Sequence, residues 1–117
     1  MGYQVVWSPQ AIDDIDAIAA YIARDSISYA AAVVQRIIDV TRNLSKAPEA
    51  GMIVQEFGDE NIREQFAYTY RVIYQIQEDI VTIASVIHGK TLLNIELSQQ
   101  IGARQENPTR FTRGSVN

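Results

Sequence analysis

The sequence contains no cysteine, which excludes disulfide bridges and thiolate metal sites. No apolar run approaches the roughly 20 residues that a membrane-spanning helix requires, and the first residues lack the basic and apolar sections of a signal peptide. These absences predict a soluble, cytoplasmic protein with no membrane partner. Basic residues are also scarce, at 10 against 14 acidic residues. Any nucleic-acid contact must therefore depend on a local basic cluster, because broad neutralisation of phosphates needs a basic protein.

The length of 117 residues suits one compact domain. We predict this domain over residues 1–101 and a polar, flexible tail over residues 102–117, where apolar residues are few. Residues 1–60 hold nine acids and four bases, whereas residues 101–117 hold one acid and three bases. The excess of acid therefore belongs to the predicted domain.

The first predicted helix begins at Ser8 and Pro9, because serine is a favoured N-cap and proline suits the first helical position. Apolar residues then recur at helical spacing, which predicts a helix over about residues 9–23. The residues expected on its apolar face are Ile12, Ile15, Ile18, Ala19 and Ile22.

A second helix is predicted after a cap at Ser26 or Ser28, and its apolar stripe continues to Leu44. Basic residues are concentrated in its second half, where the negative end of the helix dipole favours them. The link between the two helices is short, so they should form an antiparallel hairpin.

Residues 68–90 carry two runs rich in Tyr, Val, Ile and Thr around a polar break at residues 77–79. This pattern predicts an antiparallel β-hairpin at the centre of a sheet. Shorter runs at residues 4–7 and 62–66 predict two more strands, and residues 52–57 can be extended. The result is an α+β fold in which a helical hairpin packs on one face of a small twisted, largely antiparallel sheet.

A cationic cluster is predicted at one end of this hairpin. Arg71 lies early in its first strand, and His88, Gly89 and Lys90 close the second. Because the start of one strand lies beside the end of the next, Arg71, His88 and Lys90 should come together. We expect function at this cluster.

Several stretches, in this order and at compatible spacing, resemble the RelE/ParE toxin superfamily of bacterial type II toxin–antitoxin systems, whose members are often labelled plasmid stabilisation proteins. The resemblance covers about residues 3–93 and implies a β-α-α-β-β-β fold. The stretches are Val6-Trp7-Ser8-Pro9-Gln10-Ala11, residues 14–22, Pro48 with Gly51, Asn61-Ile62-Arg63-Glu64, Tyr70-Arg71-Val72-Ile73-Tyr74 and Val86-Ile87-His88-Gly89-Lys90.

The resemblance implies a toxin that a cognate antitoxin neutralises by wrapping its surface. RelE-like members cleave mRNA in the ribosomal A site without a metal ion, whereas ParE-like members poison DNA gyrase and have no known catalytic residues. No cofactor or metal ion is expected, and the protein should form a homodimer or a hetero-oligomer with its antitoxin. We expect a small acidic or amphipathic antitoxin to protect the groove near Arg71. A relative that has kept the fold but lost toxicity is a further alternative.

If the chain is RelE-like, the resemblance suggests catalytic roles for five residues: Arg71, His88, Lys90, Arg63 and Glu64. Arg71 would stabilise transition-state charge, His88 would act as general acid or base, and Lys90 would neutralise phosphate. Glu64 is a second candidate base, and Arg63 would line the same groove. Each residue also has a structural interpretation; Arg71, for example, can simply pair with Glu64 on the neighbouring strand.

Departures from the RelE-like pattern favour the ParE-like mode. RelE-like enzymes usually carry more basic residues after this strand and a tyrosine or histidine near the C-terminus. Here no tyrosine or histidine follows His88, and residues 91–94 read Thr-Leu-Leu-Asn. Tyr68, Tyr70 and Tyr74 are candidates for base stacking, although we expect them to share one packed face of a strand. The prediction is therefore inhibition of DNA gyrase, with a ribosome-dependent mRNA endoribonuclease as the alternative.

Overall fold

The computed structural model describes residues 2–89, in which two α-helices and five strands form an α+β fold. Both predicted helices are present. The described residues do not include Lys90, the predicted domain end at residue 101 or the predicted tail over residues 102–117. The elements are β1 (Gln4–Trp7), α1 (Pro9–Ala23), α2 (Ile27–Asn43), a 3-10 turn (Pro48–Ala50), β2 (Met52–Ile53), β3 (Ile62–Ala67), β4 (Tyr70–Gln77) and β5 (Ile80–His88).

The strands form one sheet in the order β1-β5-β4-β3-β2. β1 pairs with β5 in parallel, and the other neighbours pair antiparallel. The predicted hairpin is therefore confirmed as β4 and β5, and it lies at the centre of the sheet. The extended segment expected over residues 52–57 is shorter than predicted, because only Met52–Ile53 pairs with β3.

Both helices pack on one face of the sheet, as predicted. Their buried side chains and those of the strands form a single core, whose members include Ala11, Val33, Ile37, Leu44, Val72, Tyr74, Val81 and Ile83. One position of the predicted apolar face is wrong: Ile12 is 47% exposed, whereas Ala11 is fully buried. Neither helix within residues 2–89 is long and apolar enough to cross a membrane.

The second face of the sheet is covered in part by the segment that follows β2. Val54 is fully buried there with Ile73 and Ala84, and Phe57 packs against the same cluster. This smaller core holds the segment over residues 54–57 across β3 and β4. It is the reason that polar side chains on this face are also buried.

Ser8 connects β1 to the start of α1. Its hydroxyl accepts a hydrogen bond from the Ala11 backbone N–H at 3.1 Å, which is the predicted N-cap. The same hydroxyl donates to the Ala84 carbonyl oxygen at 3.0 Å, and the Ser8 backbone N–H donates to the Ile83 carbonyl oxygen. The helix start is therefore bonded directly to the central strand β5.

Asp14 on α1 accepts hydrogen bonds from the part of β5 that extends beyond its pairing with β1. The pairing of β1 with β5 ends at Trp7 and Ile83. Past this point, Asp14 Oδ2 accepts hydrogen bonds from the Ser85 hydroxyl at 2.8 Å and the Val86 backbone N–H at 2.9 Å. The Asp14 carboxylate therefore accepts a backbone hydrogen bond from a strand residue 72 positions later in the sequence.

Replacing Asp14 with alanine should lower the free energy of unfolding by roughly 1–3 kcal/mol, because the Val86 N–H loses its acceptor in a partly buried position. The measurement is urea denaturation, together with hydrogen exchange of the Val86 amide. Asp16→Ala is the matched control, since Asp16 is an exposed aspartate on the same helix. Equal effects of the two substitutions would contradict the role given to Asp14.

The turn between β3 and β4 was not predicted. Ala67 pairs with Tyr70, so Tyr68 and Thr69 form a two-residue hairpin turn. Tyr68 adopts a left-handed conformation with φ of 54°, which is uncommon for a residue with a side chain. Tyr68 therefore lies outside the strand. The prediction that it shares one strand face with Tyr70 and Tyr74 is wrong.

Candidate functional site

Arg71 lies on the face of the sheet opposite the helices. In the register of the sheet it pairs with Phe66 of β3 and Ile87 of β5. Ile87 packs against the smaller core, so its cross-strand partner Arg71 points to the same side. The segment over residues 54–57 helps to cover this side, and Arg71 is only 7% exposed.

The Arg71 guanidinium is bound by carboxylates of the same chain. Its Nε donates a hydrogen bond to Glu64 Oε1, and Nη1 and Nη2 donate to the two oxygens of Glu56 at 3.2 and 3.3 Å. The pairing with Glu64 on the neighbouring strand is the structural alternative considered from the sequence, and it is confirmed. Glu56 is an additional partner. Two carboxylates and one guanidinium give this ion cluster a net charge of −1.

Burial opposes charge on Arg71 in the ion cluster, whereas hydrogen bonds and the opposite charges of the glutamates favour it. Burial by itself lowers the pKa of Arg71, but hydrogen bonds to Glu56 and Glu64 outweigh burial and raise it above its ordinary value. The hydrogen bond from Arg71 holds the pKa of Glu56 below its ordinary value of 4.5. Arg71 and Glu56 are therefore both charged at neutral pH.

The contribution of Glu56 to stability should disappear on acidification. Its pKa is lower in the folded than in the unfolded protein, so the stabilisation is present above about pH 4.5 and is lost as pH falls through the folded-state value. The measurement compares denaturation midpoints of the parent and Glu56→Gln from neutral pH to about pH 3. The difference should shrink in acid, and a constant difference would contradict the prediction. Glu60→Gln, on the same loop but outside the ion pair, is the control.

His88 lies on the other face of the sheet. It pairs with Tyr70, and the two rings meet edge to face with centroids 5.5 Å apart. Tyr70 packs against the core beneath the helices, so His88 and Arg71 share an end of the sheet but not a face. The prediction that they join in one cationic cluster is therefore wrong, because neighbouring strand positions alternate between faces. The third predicted member, Lys90, is not among the described residues.

Arg63 is also placed differently from the prediction. It pairs with Tyr74, which belongs to the core beneath the helices, so Arg63 and Arg71 point to opposite faces. The Arg63 guanidinium donates hydrogen bonds of 2.9 to 3.0 Å to the backbone carbonyl oxygens of Glu49, Gly51 and Glu60. Its role is to hold the chain segments that flank β2 and β3.

A second feature, which the sequence did not predict, is a groove of about 270 Å³ between the helical hairpin and the β3–β4 turn. We call it the tyrosine groove. The Tyr68 ring lies against the Tyr29 ring, with centroids 6.3 Å apart. Its principal lining residues are Tyr21, Ile22, Asp25, Tyr29, Thr69 and Tyr70. The sequence signal was weak, because these tyrosines come from three separate elements.

The chemical capacity of the site follows from these contacts. Within residues 2–89, no group of three or more histidine, cysteine, aspartate or glutamate side chains is placed to hold a metal ion. Glu64 and Arg71 form a carboxylate–guanidinium pair, but the guanidinium donors are engaged by Glu64 and Glu56. A phosphate would therefore compete with Glu56 for the Nη1 and Nη2 donors of Arg71.

A helical hairpin on one face of a five-stranded, mostly antiparallel sheet defines the class of RelE/ParE-fold proteins. The model of one family, described as the ParE toxin of the type II toxin–antitoxin system parDE, matches residues 5–93. The chain therefore belongs to the ParE toxin family of type II toxin–antitoxin systems. Among curated proteins, none matches the sequence significantly.

Two solved structures share the fold. One is described as the chromosomal ParDE toxin–antitoxin system from P. aeruginosa, at 17% identity and a TM-score of 0.61, covering 74% of this chain and 95% of that chain. The other is the toxin–antitoxin complex RelBE2 from Mycobacterium tuberculosis, at 19% identity and a TM-score of 0.55, covering 75% and 99%. The expected superfamily fold is thus confirmed.

Proposed function

We propose that this toxin acts in the ParE-like mode, by binding and inhibiting DNA gyrase, and that a cognate antitoxin neutralises it. The family match to ParE toxins supports this proposal. The net charge of −4 also supports it, because a protein that neutralises RNA phosphates broadly is usually basic. This function requires a binding surface but no reacting group. Since gyrase acts in the cytoplasm, we place the toxin there.

The observation that carries the proposal is the ion cluster of Arg71. An RNA-cleaving site would aim the guanidinium at the position where transition-state charge develops. Here Arg71 is 7% exposed and its donors bind Glu64 and Glu56 instead. His88 lies on the opposite face. The separation of Arg71 and His88 onto opposite faces supports a mode of action that does not depend on them as a catalytic pair.

A second candidate function is ribosome-dependent, metal-free mRNA cleavage by Arg71, His88, Lys90, Arg63 and Glu64. One observation favours it: Glu64 and Arg71 are in contact, as a general base and a stabiliser of phosphorane charge would be. Activity in this mode would need the ribosome to displace Glu56. A non-toxic relative that has kept only the fold is the third alternative.

The antitoxin is proposed as the first partner, in a hetero-oligomer rather than a toxin homodimer. Both structural relatives are described as toxin–antitoxin systems, which supports this choice. The sequence predicted an acidic or amphipathic antitoxin near Arg71, and the acidic alternative is disfavoured because Glu56 and Glu64 already pair with that arginine.

The deciding experiment is induced expression of the full chain in a bacterial host, with pulse labelling of DNA and protein synthesis. We expect DNA synthesis to fall first while translation continues. An early collapse of translation would overturn the proposal in favour of mRNA cleavage. Normal growth with folded protein in the cell would identify a non-toxic relative.

A matched variant separates the two toxic modes. His88→Ala removes an exposed side chain on which the nuclease would depend. Gyrase inhibition, measured as loss of supercoiling by purified gyrase, should be the same for the parent and His88→Ala. Loss of toxicity in this variant, with its denaturation midpoint unchanged, would support the nuclease.

A further inference from the structure

Three tyrosine rings at or beside the tyrosine groove are largely exposed to solvent. Tyr21 is 68% exposed, Tyr29 is 51% exposed and Tyr68 is 55% exposed. Single exposed apolar residues are common, but clustered rings beside a concave surface are typical of interaction sites. The three rings come from α1, α2 and the β3–β4 turn, so it is the tertiary structure that brings them together.

The wall of the groove combines aromatic faces with one carboxylate. Aromatic faces carry negative electrostatic potential and attract cations. Asp25 lies in the same wall as Tyr21 and Tyr29 and adds a full negative charge. The groove therefore favours a positively charged group.

The protein supplies no such group from the described part of the chain. Within residues 2–89 there are twelve acidic and six basic residues, and no basic side chain from this range lines the groove. Arg24 precedes Asp25 in sequence but is not among the lining residues. An occupant from outside should therefore complement this charge with its own cation.

We propose that the tyrosine groove is the docking site for an arginine side chain carried by an apolar segment of the antitoxin. A planar guanidinium can stack on the rings of Tyr29 and Tyr21 while it pairs with Asp25, which an ammonium group does less well. Ile22 and Tyr70 offer apolar surface to the methylene stem of the arginine. The identity of the partner rests on the proposed function, whereas the chemistry of the groove does not.

The first test uses a defined probe with the full chain. Acetyl-Leu-Arg-Leu-amide is titrated against the protein while the tyrosine ring signals are followed by NMR, and the same peptide with citrulline in place of arginine serves as the neutral control. The arginine peptide should shift the signals of Tyr21, Tyr29 and Tyr68 and bind roughly 3- to 10-fold more tightly than the citrulline peptide. Equal binding of the two peptides, or shifts spread over unrelated tyrosines, would overturn the proposal.

Two variants test the wall of the groove. Asp25→Asn and Tyr29→Leu should each weaken binding of the arginine peptide roughly 3- to 10-fold. The matched control is Asp16→Asn, which removes one negative charge from an exposed position on α1 outside the groove and should leave binding unchanged. If Asp16→Asn weakens binding as much as Asp25→Asn, the attraction is only the net charge of the protein and the proposed site is wrong.

Co-expression with the antitoxin separates this inference from the proposed function. Asp25→Asn should weaken the purified complex roughly 3- to 10-fold, whereas Asp16→Asn should not. A complex of unchanged affinity would overturn the groove as the docking site and leave the toxin assignment standing. Arg104, Arg110 and Arg113 of the same chain are competing occupants. If replacing all three with glutamine increases peptide binding, the groove is filled by the chain itself and the proposal fails.

Discussion

Arg71→Ala should lower the free energy of unfolding by roughly 3–5 kcal/mol, because it removes one partner of a buried ion pair and leaves the other without compensation. The Arg71 and Glu64 side chains are 8% and 9% exposed. With the arginine gone, the buried Glu64 carboxyl would lose its partner, and Glu56 would lose the group that lowers its pKa. Urea denaturation monitored by Trp7 fluorescence and circular dichroism measures the loss.

The control for this prediction replaces both charges. In Arg71→Met/Glu64→Leu, apolar side chains of similar length fill the same volume, and such exchanges of a whole buried pair are often neutral or stabilising. We therefore expect the double variant to recover most of the stability that Arg71→Ala loses. A double variant as unstable as Arg71→Ala would show that the pair itself, and not the unpaired charge, determines stability.

Gly51→Ala should be destabilising at or above the upper end of the roughly 1–3 kcal/mol usual for overpacking. A Cβ at position 51 would lie 1.9 Å from the Tyr74 hydroxyl oxygen and 2.9 Å from the Glu64 carbonyl oxygen. Tyr74 is fully buried and its hydroxyl donates a 2.7 Å hydrogen bond to the Pro48 carbonyl oxygen. The ring therefore cannot move aside without breaking that bond. The measurement is the denaturation midpoint of the purified variant.

A second substitution tests whether the hydroxyl is the obstacle. Tyr74→Phe in the Gly51→Ala background removes the atom nearest to the new Cβ, at the loss of a hydrogen bond worth about 1 kcal/mol. The double variant should be more stable than the sum of the two single effects predicts. Strict additivity would contradict the proposed clash. Gly58→Ala is the control, because within residues 2–89 only its two chain neighbours come within 4 Å of the Cβ position, and its φ of 63° is what opposes the change.

Secondary structure was largely predictable from the sequence because its signals are local. Ser8 and Ser26 cap the two helices through N–H groups three residues away, and the helical period lies within a few turns. The hairpin of β4 and β5 was equally local, since a polar turn separates two runs of β-forming residues. These signals do not depend on any distant part of the chain.

Contacts between distant segments were not predictable. Glu56 reaches Arg71 from a loop 15 residues earlier, and Asp14 reaches Val86 across 72 residues. Which face His88 takes depends on strand register, and one residue of shift would reverse it. The turn at Tyr68 was missed because tyrosine and threonine carry none of the glycine or asparagine signals of a tight hairpin turn.

By itself, the sequence determined the order of helices and strands, the central hairpin and the membership of the RelE/ParE superfamily, because caps, periodicity and short motifs act over a few residues. Only the tertiary structure decided that Arg71 is neutralised by Glu56 and Glu64 and that His88 lies on the opposite face. It also decided that the exposed Tyr21 and Tyr29 line one groove with Asp25, with Tyr68 beside Tyr29. The physical reason is that charge and exposure at a site depend on which distant segments pack against it.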